Sequence, residues 1–340
     1  MPISLSGKKP LIIITIGHPT GIGPEVVIRS LIDKKIQDSG TFLIVGDLFT
    51  VDQFIQKHHI RFTMPVIDKD EFDPRLIRPG AIHLLDMKNV RRESFSYGSG
   101  DPEFGKASIE YIDTAIDLLA GGIGDALVTA PINKASVKRS GFRFDGHTEY
   151  LAHRTKTKKY AMMLLGGKLK VVPVTRHIPL EAVPRSIKQA AIRDAIELTY
   201  DALQRYFHVR EPRIGVAGLN PHAGDEGHIG TEEKTIELVV RGLAKRMRLI
   251  RGPRPPDTIF YEAYNKKYDA VIAMYHDQGL IPLKMLYFNT GVNMTLGLPF
   301  VRTSPDHGTA FEIAGLGVAD PDSMKEAIRI ACSLARSGSR

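Results

Sequence analysis

Residues 11–25 read LIIITIGHPTGIGPE. The first six are β-formers without polar alternation, the pattern of a strand covered on both faces. Gly17, Gly21 and Gly23 follow, and Pro24 stands where a helix opens, so the chain is expected to turn sharply from a strand into a helix. The spacing is G-x-x-x-G-x-G, not the G-x-G-x-x-G of a dinucleotide fingerprint, and the Gly-Lys-Ser/Thr ending of a phosphate loop does not follow. The glycines are therefore read first as a tight strand-to-helix turn, with a substrate-facing turn as the alternative.

Outward from this stretch, short apolar runs recur at 41–45, 126–129, 161–165, 171–174, 214–217 and 270–274. Helical patterns lie between several of them. At 186–207, Ile187, Ala191, Ala195, Leu198, Ala202 and Tyr206 fall on one stripe, and 232–249 carries charge on an outer face. Such alternation predicts an α/β fold with a largely parallel sheet and helices on both sides. The proline-rich stretch 252–257 reads as a loop, because proline removes a backbone donor and fixes φ. No internal repeat or low-complexity tract interrupts the pattern.

Of 340 residues, 43% are hydrophobic and 25% charged, which excludes a disordered chain and allows two domains. Cys332 is the only cysteine, so no internal disulfide forms and a reducing, cytoplasmic setting is expected. The opening residues lack a basic segment followed by a long apolar run, and 11–16 is too short to cross a bilayer, so neither export nor a membrane role is expected. The net charge of +8 raises the question of nucleic acid. The basic clusters at 154–159 and 245–251 have no aromatic residues interleaved, so they read as solvated faces and no nucleic-acid partner is expected. A diffuse positive field also suits a phosphorylated or carboxylate substrate.

In open α/β sheets, ligands bind beyond the carboxyl ends of the strands. The segments expected there are GHPTGIGPE (17–25), PINK (131–134), RHIP (176–179), NPHAGDEGH (220–228) and YHDQG (275–279). His177, His222 and His276 each stand just past an expected strand. Neutral imidazole is a common ligand for zinc and similar ions, and three at equivalent positions point to a shared metal site, although each singly also reads as a hydrogen-bonded structural residue. The chain has no HExxH, paired CxxC or EF-hand loop, so the ligands must come from distant segments. Lys284, Asn293 and Arg302 lie in an apolar, glycine-rich stretch and read as the wall of an anion pocket, arginine supplying a bidentate fork and lysine a point charge.

GIGPE, DGHTEYLA, LNPHAG, YHDQGLIPLK, GVNMTLGLPF and RTSPDHGTAFEIAG, spread over residues 21–315, together resemble the 4-hydroxythreonine-4-phosphate dehydrogenase (PdxA) family of pyridoxal phosphate, or vitamin B6, biosynthesis. The resemblance implies two α/β/α domains with a cleft between them, similar to isocitrate and isopropylmalate dehydrogenases. Residues 1–140 with 295–340 would form the cofactor-side domain, and 141–294 the metal-binding and dimerisation domain. His177, His222 and His276 would hold a divalent ion such as zinc, magnesium, cobalt or manganese, in a site shared between the subunits of a homodimer. His147, Thr148, Lys284, Asn293 and Arg302 would bind a small phosphorylated hydroxy acid.

HGTAFEIAGLGVADP also resembles the adenosine-binding loop of isopropylmalate and isocitrate dehydrogenases, which implies cofactor contacts from His307, Gly308, Thr309, Glu312 and Asp320. A carboxylate accepts hydrogen bonds from an unmodified ribose and repels a ribose phosphate, so NAD is expected over NADP. The chain departs from the family in GHPTGIGPE, where an acidic residue and alanine usually replace His18 and Thr20. The implied reaction is metal-assisted, NAD-dependent oxidation of the secondary alcohol of 4-phosphooxy-L-threonine followed by decarboxylation, with Asp277 and Lys284 as candidate bases. Related members act on D-threonate or D-erythronate 4-phosphate or on aromatic cis-diol acids. An acyl- or phosphoryl-transfer enzyme, or a non-catalytic binding protein, would leave three strand-end histidines unexplained.

Overall fold

The computed structural model describes residues 9–144 and 146–338; residues 1–8 and Asp145, which opens DGHTEYLA, lie outside the described residues. In chain order, β1 (Leu11–Thr15) leads to α1 (Gly23–Leu31), α2 (Lys34–Gln37), β2 (Thr41–Gly46), α3 (Leu48–Lys57), β3 (Val66–Asp68), β4 (Ile82–Asp86), α4 (Pro102–Ala120), β5 (Ala126–Thr129), α5 (Lys134–Arg139) and α6 (His147–Arg154). The middle of the chain supplies β6 (Ala161–Gly166), β7 (Leu169–Pro173), α7 (Val183–Ser186), α8 (Gln189–Arg205), β8 (Ile214–Ala217), α9 (Glu233–Ala244), β9 (Ile250–Arg254), α10 (Pro256–Tyr264), β10 (Ala270–Ala273), α11 (His276–Tyr287) and β11 (Val292–Leu296). β12 (Val301–Pro305) and α12 (Asp322–Gly338) close the chain. These elements form two units, Met1–Lys156 with Leu298–Arg340, and Thr157–Gly297.

In the first unit the strands run β3-β4-β2-β1-β5-β12, and every pair is parallel. Ile12 lies opposite Phe42 on one side and Ala126 on the other, and Ile12, Ile13 and Ile14 are fully buried. Burial on both faces is why these strands read as continuous apolar runs. Met324, Ala327, Ile328, Ala331 and Ala335 form the buried stripe of α12, and Cys332 is buried among them. Helix α6 lies in the first unit. There Arg154 pairs with Asp113 and, at 2.8 Å, with Asp117 of α4, the Tyr150 hydroxyl donates to Asp113, and Leu151 and Ala152 are buried.

The second unit has the order β11-β6-β7-β10-β8-β9. β7, β10, β8 and β9 are parallel neighbours, whereas β11 and β7 flank β6 in antiparallel sense, so this sheet is mixed. β6 and β7 are joined by a tight hairpin in which Gly167 takes a φ of 45°. Residues 252 and 253, expected in a loop, lie in β9; it is an edge strand, where a proline without an N–H forfeits no interior ladder bond. The buried face of α8 is Ile192, Ala195, Ile196, Thr199, Ala202 and Leu203; of the expected stripe Ala195 and Ala202 lie on it, and Ile187, also buried, precedes the helix.

The turn at 17–23 organises the first unit's loops. A Cβ at Gly17 would lie 2.3 Å from the Pro131 carbonyl oxygen, and one at Gly23 2.1 Å from that of Ile16, so both positions require glycine. His18 N–H donates to Pro131 O (2.9 Å), Gly98 N–H to Thr20 O (2.8 Å) and Ile22 N–H to Thr309 O (3.0 Å). His18 and Thr20 are wholly buried. The His18 ring packs edge-on against Phe104 and Phe311, and its Nδ1 and Nε2 lie 3.1 Å from the hydroxyls of Thr20 and Ser136. Those hydroxyls also lie within donating distance of Ser99 O (2.6 Å) and Asp101 O (2.7 Å). A neutral ring carries one N–H, so one hydroxyl must donate to the ring instead of to its carbonyl.

Burial pushes the His18 pKa from 6.5 down to about 4. Between those values the unfolded chain binds more protons than the folded one, so stability is fully present above the unfolded value and falls as pH drops toward about 4. The loss from His18 is about 3 kcal/mol, and burial of His147 acts in the same direction. Urea unfolding from about pH 7 to about pH 4 is expected to show this decline, with a shallower slope in His18→Gln. Equal slopes in the two proteins would exclude His18 as its source.

Candidate active site

In the first unit, β5 and β12 lie side by side with Arg302 opposite Leu127. Arg302 is 2% exposed, and its Nη2 donates to Thr129 Oγ1 at 2.6 Å. Burial lowers its pKa to about 10, which Glu149 opposes, so the guanidinium stays charged at neutral pH. PINK after β5 brings Lys134 to the start of α5, where Asn133 caps the helix by accepting from Ser136 N–H at 2.8 Å. His147 opens α6 after Gly146, with no side-chain cap from that residue and with Glu149 in the first turn. Burial, then the charges of Arg302 and Lys134, hold His147 well below the usual imidazole range. Its Nε2 is shielded from solvent and has no hydrogen-bond partner among the described residues. Thr148 beside it is buried. A charged fork, an ammonium, a helix N-terminus and a neutral imidazole together suit an anion carrying a hydroxyl.

The segment 307–320 belongs to the same unit. Thr309 is buried against the glycine turn, whereas Gly308, Glu312 and Asp320 are exposed and His307 is half-buried. Asp320 Oδ1 accepts from Asp322 N–H at 2.9 Å and thereby opens α12. The backbone is held from beneath: buried Glu25 accepts from Ala319 N–H at 2.9 Å, Arg29 donates to Gly317 O, and His58 Nε2 lies 3.1 Å from Gly315 O. Glu25, Arg29 and His58 are the residues here that sequence reading missed; the acid of GIGPE was the one visible signal.

In the second unit, β7 and β10 pair through Val172 and Ile272, which brings their carboxyl ends together. His177 and His276 follow those ends, and their ring centroids are 5.5 Å apart. His276 Nδ1–H donates to Asp277 at 2.7 Å, which leaves Nε2 with its lone pair, the form a divalent ion binds. That donor chemistry fits a metal. Among the described residues, however, no three His, Cys, Asp or Glu side chains gather into a group that would hold one, so the chain by itself does not bring His222 to the pair. His222 is exposed after β8, at the start of a turn whose residues 222–226 all have positive φ. Left-handed conformation costs residues with a Cβ roughly 1–2 kcal/mol each. His177 is also left-handed, with φ of 41°. Lys284 Nζ stands 5.7 Å from the Phe288 ring centroid, and Asn293 Oδ1 on β11 is buried without a partner among the described residues.

The model of the family described as pyridoxal phosphate biosynthetic protein PdxA matches residues 38–331. The chain is 42% identical to the 4-hydroxythreonine-4-phosphate dehydrogenase of Desulforapulum autotrophicum, over 96% of each chain. It is 40% identical to the D-threonate 4-phosphate dehydrogenase of Cupriavidus necator, over 97% of this chain and 99% of that one. The crystal structure of 4-hydroxythreonine-4-phosphate dehydrogenase from Klebsiella pneumoniae matches it with a TM-score of 0.85 at 38% identity, covering 96% of this chain and 99% of that one. With both sequence and fold matched over nearly the whole length, the chain belongs to the PdxA family of dehydrogenases.

Proposed function

We propose that this chain is an NAD- and divalent-metal-dependent dehydrogenase that oxidises 4-phosphooxy-L-threonine, with decarboxylation, to 3-amino-2-oxopropyl phosphate, in cytoplasmic vitamin B6 biosynthesis. The observation that carries the reading is Arg302, a cation kept charged in a buried place within electrostatic reach of a neutral His147. Arg302, Lys134 and the N-terminus of α6 bind the substrate's negative charge, and His147 and Thr148 supply hydrogen bonds. Asn293 offers a further polar contact. When bound, a divalent ion lowers the pKa of a ligated hydroxyl and NAD accepts a hydride, which is the chemistry the reaction needs. His177 and His276 would hold the ion, with His222 completing the set across a homodimer. Asp277 fixes the His276 ring, and Lys284, in its unprotonated amine form, would take the hydroxyl proton.

A second reading, oxidation of D-threonate 4-phosphate, is favoured by the Cupriavidus relative of nearly equal identity. The two substrates differ in a C2 amino or hydroxyl group. NADH absorbance with each acid separates them: NADH is expected from 4-phosphooxy-L-threonine, lost on chelation and restored by a divalent ion. Turnover of D-threonate 4-phosphate alone would move the assignment to the second reading, and none with either would overturn both.

Arg302→Ala is expected to raise the KM for the phosphorylated substrate by about 10–100-fold, since a hydrogen bond to a charged group contributes roughly 1.5–3 kcal/mol. The KM for NAD should stay unchanged. A similar penalty on the dephosphorylated analogue would place the guanidinium on the carboxylate instead, and normal kinetics would remove it from the site.

Cofactor choice rests on the exposed carboxylate of Glu312. Glu312→Gln is expected to weaken NAD binding and to relax rejection of NADP, measured as the ratio of kcat/KM values. Equal use of both cofactors by the unmodified enzyme would count against this role.

The homodimer draws support from α11 and its C-terminal cap, which expose Ile281, Met285 and the capping Phe288 at 66%, 80% and 75%. Such a face is buried in subunit contacts more often than left in water. Sedimentation should show a dimer that Met285→Glu combined with Phe288→Glu converts to monomer. An active wild-type monomer would contradict the assembly.

A further inference from the structure

The conformation of residues 222–226 demands a cause. His222 (φ 54°, ψ 22°), Ala223 (56°, 42°), Gly224 (82°, 0°), Asp225 (44°, 60°) and Glu226 (54°, 19°) form a continuous left-handed turn, in which only Gly224 is free of the steric cost. The side chains of His222, Asp225 and Glu226 are exposed, so packing from outside does not impose it. Besides the bonds internal to its 3-10 helix (Pro221–Gly227), the turn is closed at its ends where Ala223 N–H donates to Asn220 O at 3.1 Å, His228 N–H to Asp225 O at 2.9 Å and Ile229 N–H to Gly224 O at 3.1 Å, bonds that hold its curl but do not fix its seat on the sheet.

Beneath the turn lies Glu233, the first residue of α9, which is 7% exposed. Its Oε1 accepts from the backbone N–H groups of Leu219 (2.9 Å) and Asn220 (2.8 Å), and Asn220 Nδ2 donates to Oε2 at 3.0 Å. A Cβ on Gly224 would come within 2.7 Å of Oε2, so the carboxylate sits directly against the middle of the turn. From the other side, Gln278 Nε2 donates to Gly218 O at 2.8 Å while its Oε1 accepts from Met274 N–H at 2.6 Å. The base of the turn is thereby tied to the strand end that precedes His276.

We infer that Glu233 is a positioning residue for His222: its carboxylate seats the left-handed turn and so fixes the direction in which the imidazole is presented. The inference rests on the reading of His222 as a metal ligand. It acts through the backbone at 219–224, since strained residues persist only where their surroundings over-determine them.

The test measures Zn²⁺ affinity of the purified full-length protein by competition with a chromophoric chelator, together with the thermal midpoint of each variant. Glu233→Gln keeps the shape but puts an amide where two acceptor oxygens stood; it is expected to weaken Zn²⁺ binding by about 10–100-fold, the usual effect of losing a group that orients a ligand. Gly224→Ala reaches the same contact from the turn and should weaken binding similarly if Glu233→Gln does not fold. Adding Ala223→Gly to Glu233→Gln should recover part of the affinity, because glycine takes the left-handed conformation without steric cost; a merely structural role would give no such rescue. Wild-type affinity in both Glu233→Gln and Gly224→Ala, with His222→Ala weakened, would overturn the positioning role and leave the metal reading intact. Unchanged affinity in His222→Ala would remove both.

Discussion

Backbone closeness at residues 17–23 governs the first unit. Three hydrogen bonds from this turn reach Pro131, Gly98 and Thr309, positions remote from one another in the sequence; a Cβ on Gly17 would lie 2.3 Å from the Pro131 carbonyl oxygen and one on Gly21 3.0 Å from that of Thr309, so glycine lets both segments close in. Lys134 and the loop to His147 follow Pro131, and the segment carrying Glu312 follows Thr309. One turn therefore sets where two groups of candidate site residues begin. His18 and Thr20 lie inside this junction and out of solvent.

The same unit holds sequestered basic side chains in different charge states. Burial disfavours every cation, but it acts on groups with very different starting points. A guanidinium lowered to about 10 remains charged at neutral pH, whereas an imidazole lowered to about 4 is neutral. Arg302 thus offers fixed positive charge and His147 an uncharged hydrogen-bonding edge within reach of one another. An anionic ligand gains from the first without meeting a second buried charge on the imidazole.

In the second unit the ordering influence is strain met by polar support. His177 and His222 both take positive φ, and the support nearest to His222 is a carboxylate, an asparagine and a glutamine acting on main-chain groups. Hydrogen bonds to backbone N–H groups hold a conformation more exactly than apolar packing does, because they fix direction as well as distance. Asp277 does the same for the His276 ring. The His276 ring is thus held by Asp277, and the turn that carries His222 rests on Glu233.

The strands covered on both faces were legible: β1, β2, β5, β6, β7, β8 and β10 all coincide with apolar runs, since a residue buried on either side must be apolar. β11 and β12 were not, because VNMTL and VRTSP give strand positions to Asn293 and Arg302 and so break the run. Nor was β9, whose proline is tolerable only at an edge, and edges are a property of the sheet. Motifs of unusual composition and the family they mark can be read locally, because they depend on residue type and order alone. Charge state and aim cannot. Arg302 meets Thr129, His18 meets Ser136 and Glu233 meets the turn at 219–224 only after folding, and it is burial with partners distant in the chain that makes one histidine a neutral strut and another a ligand candidate.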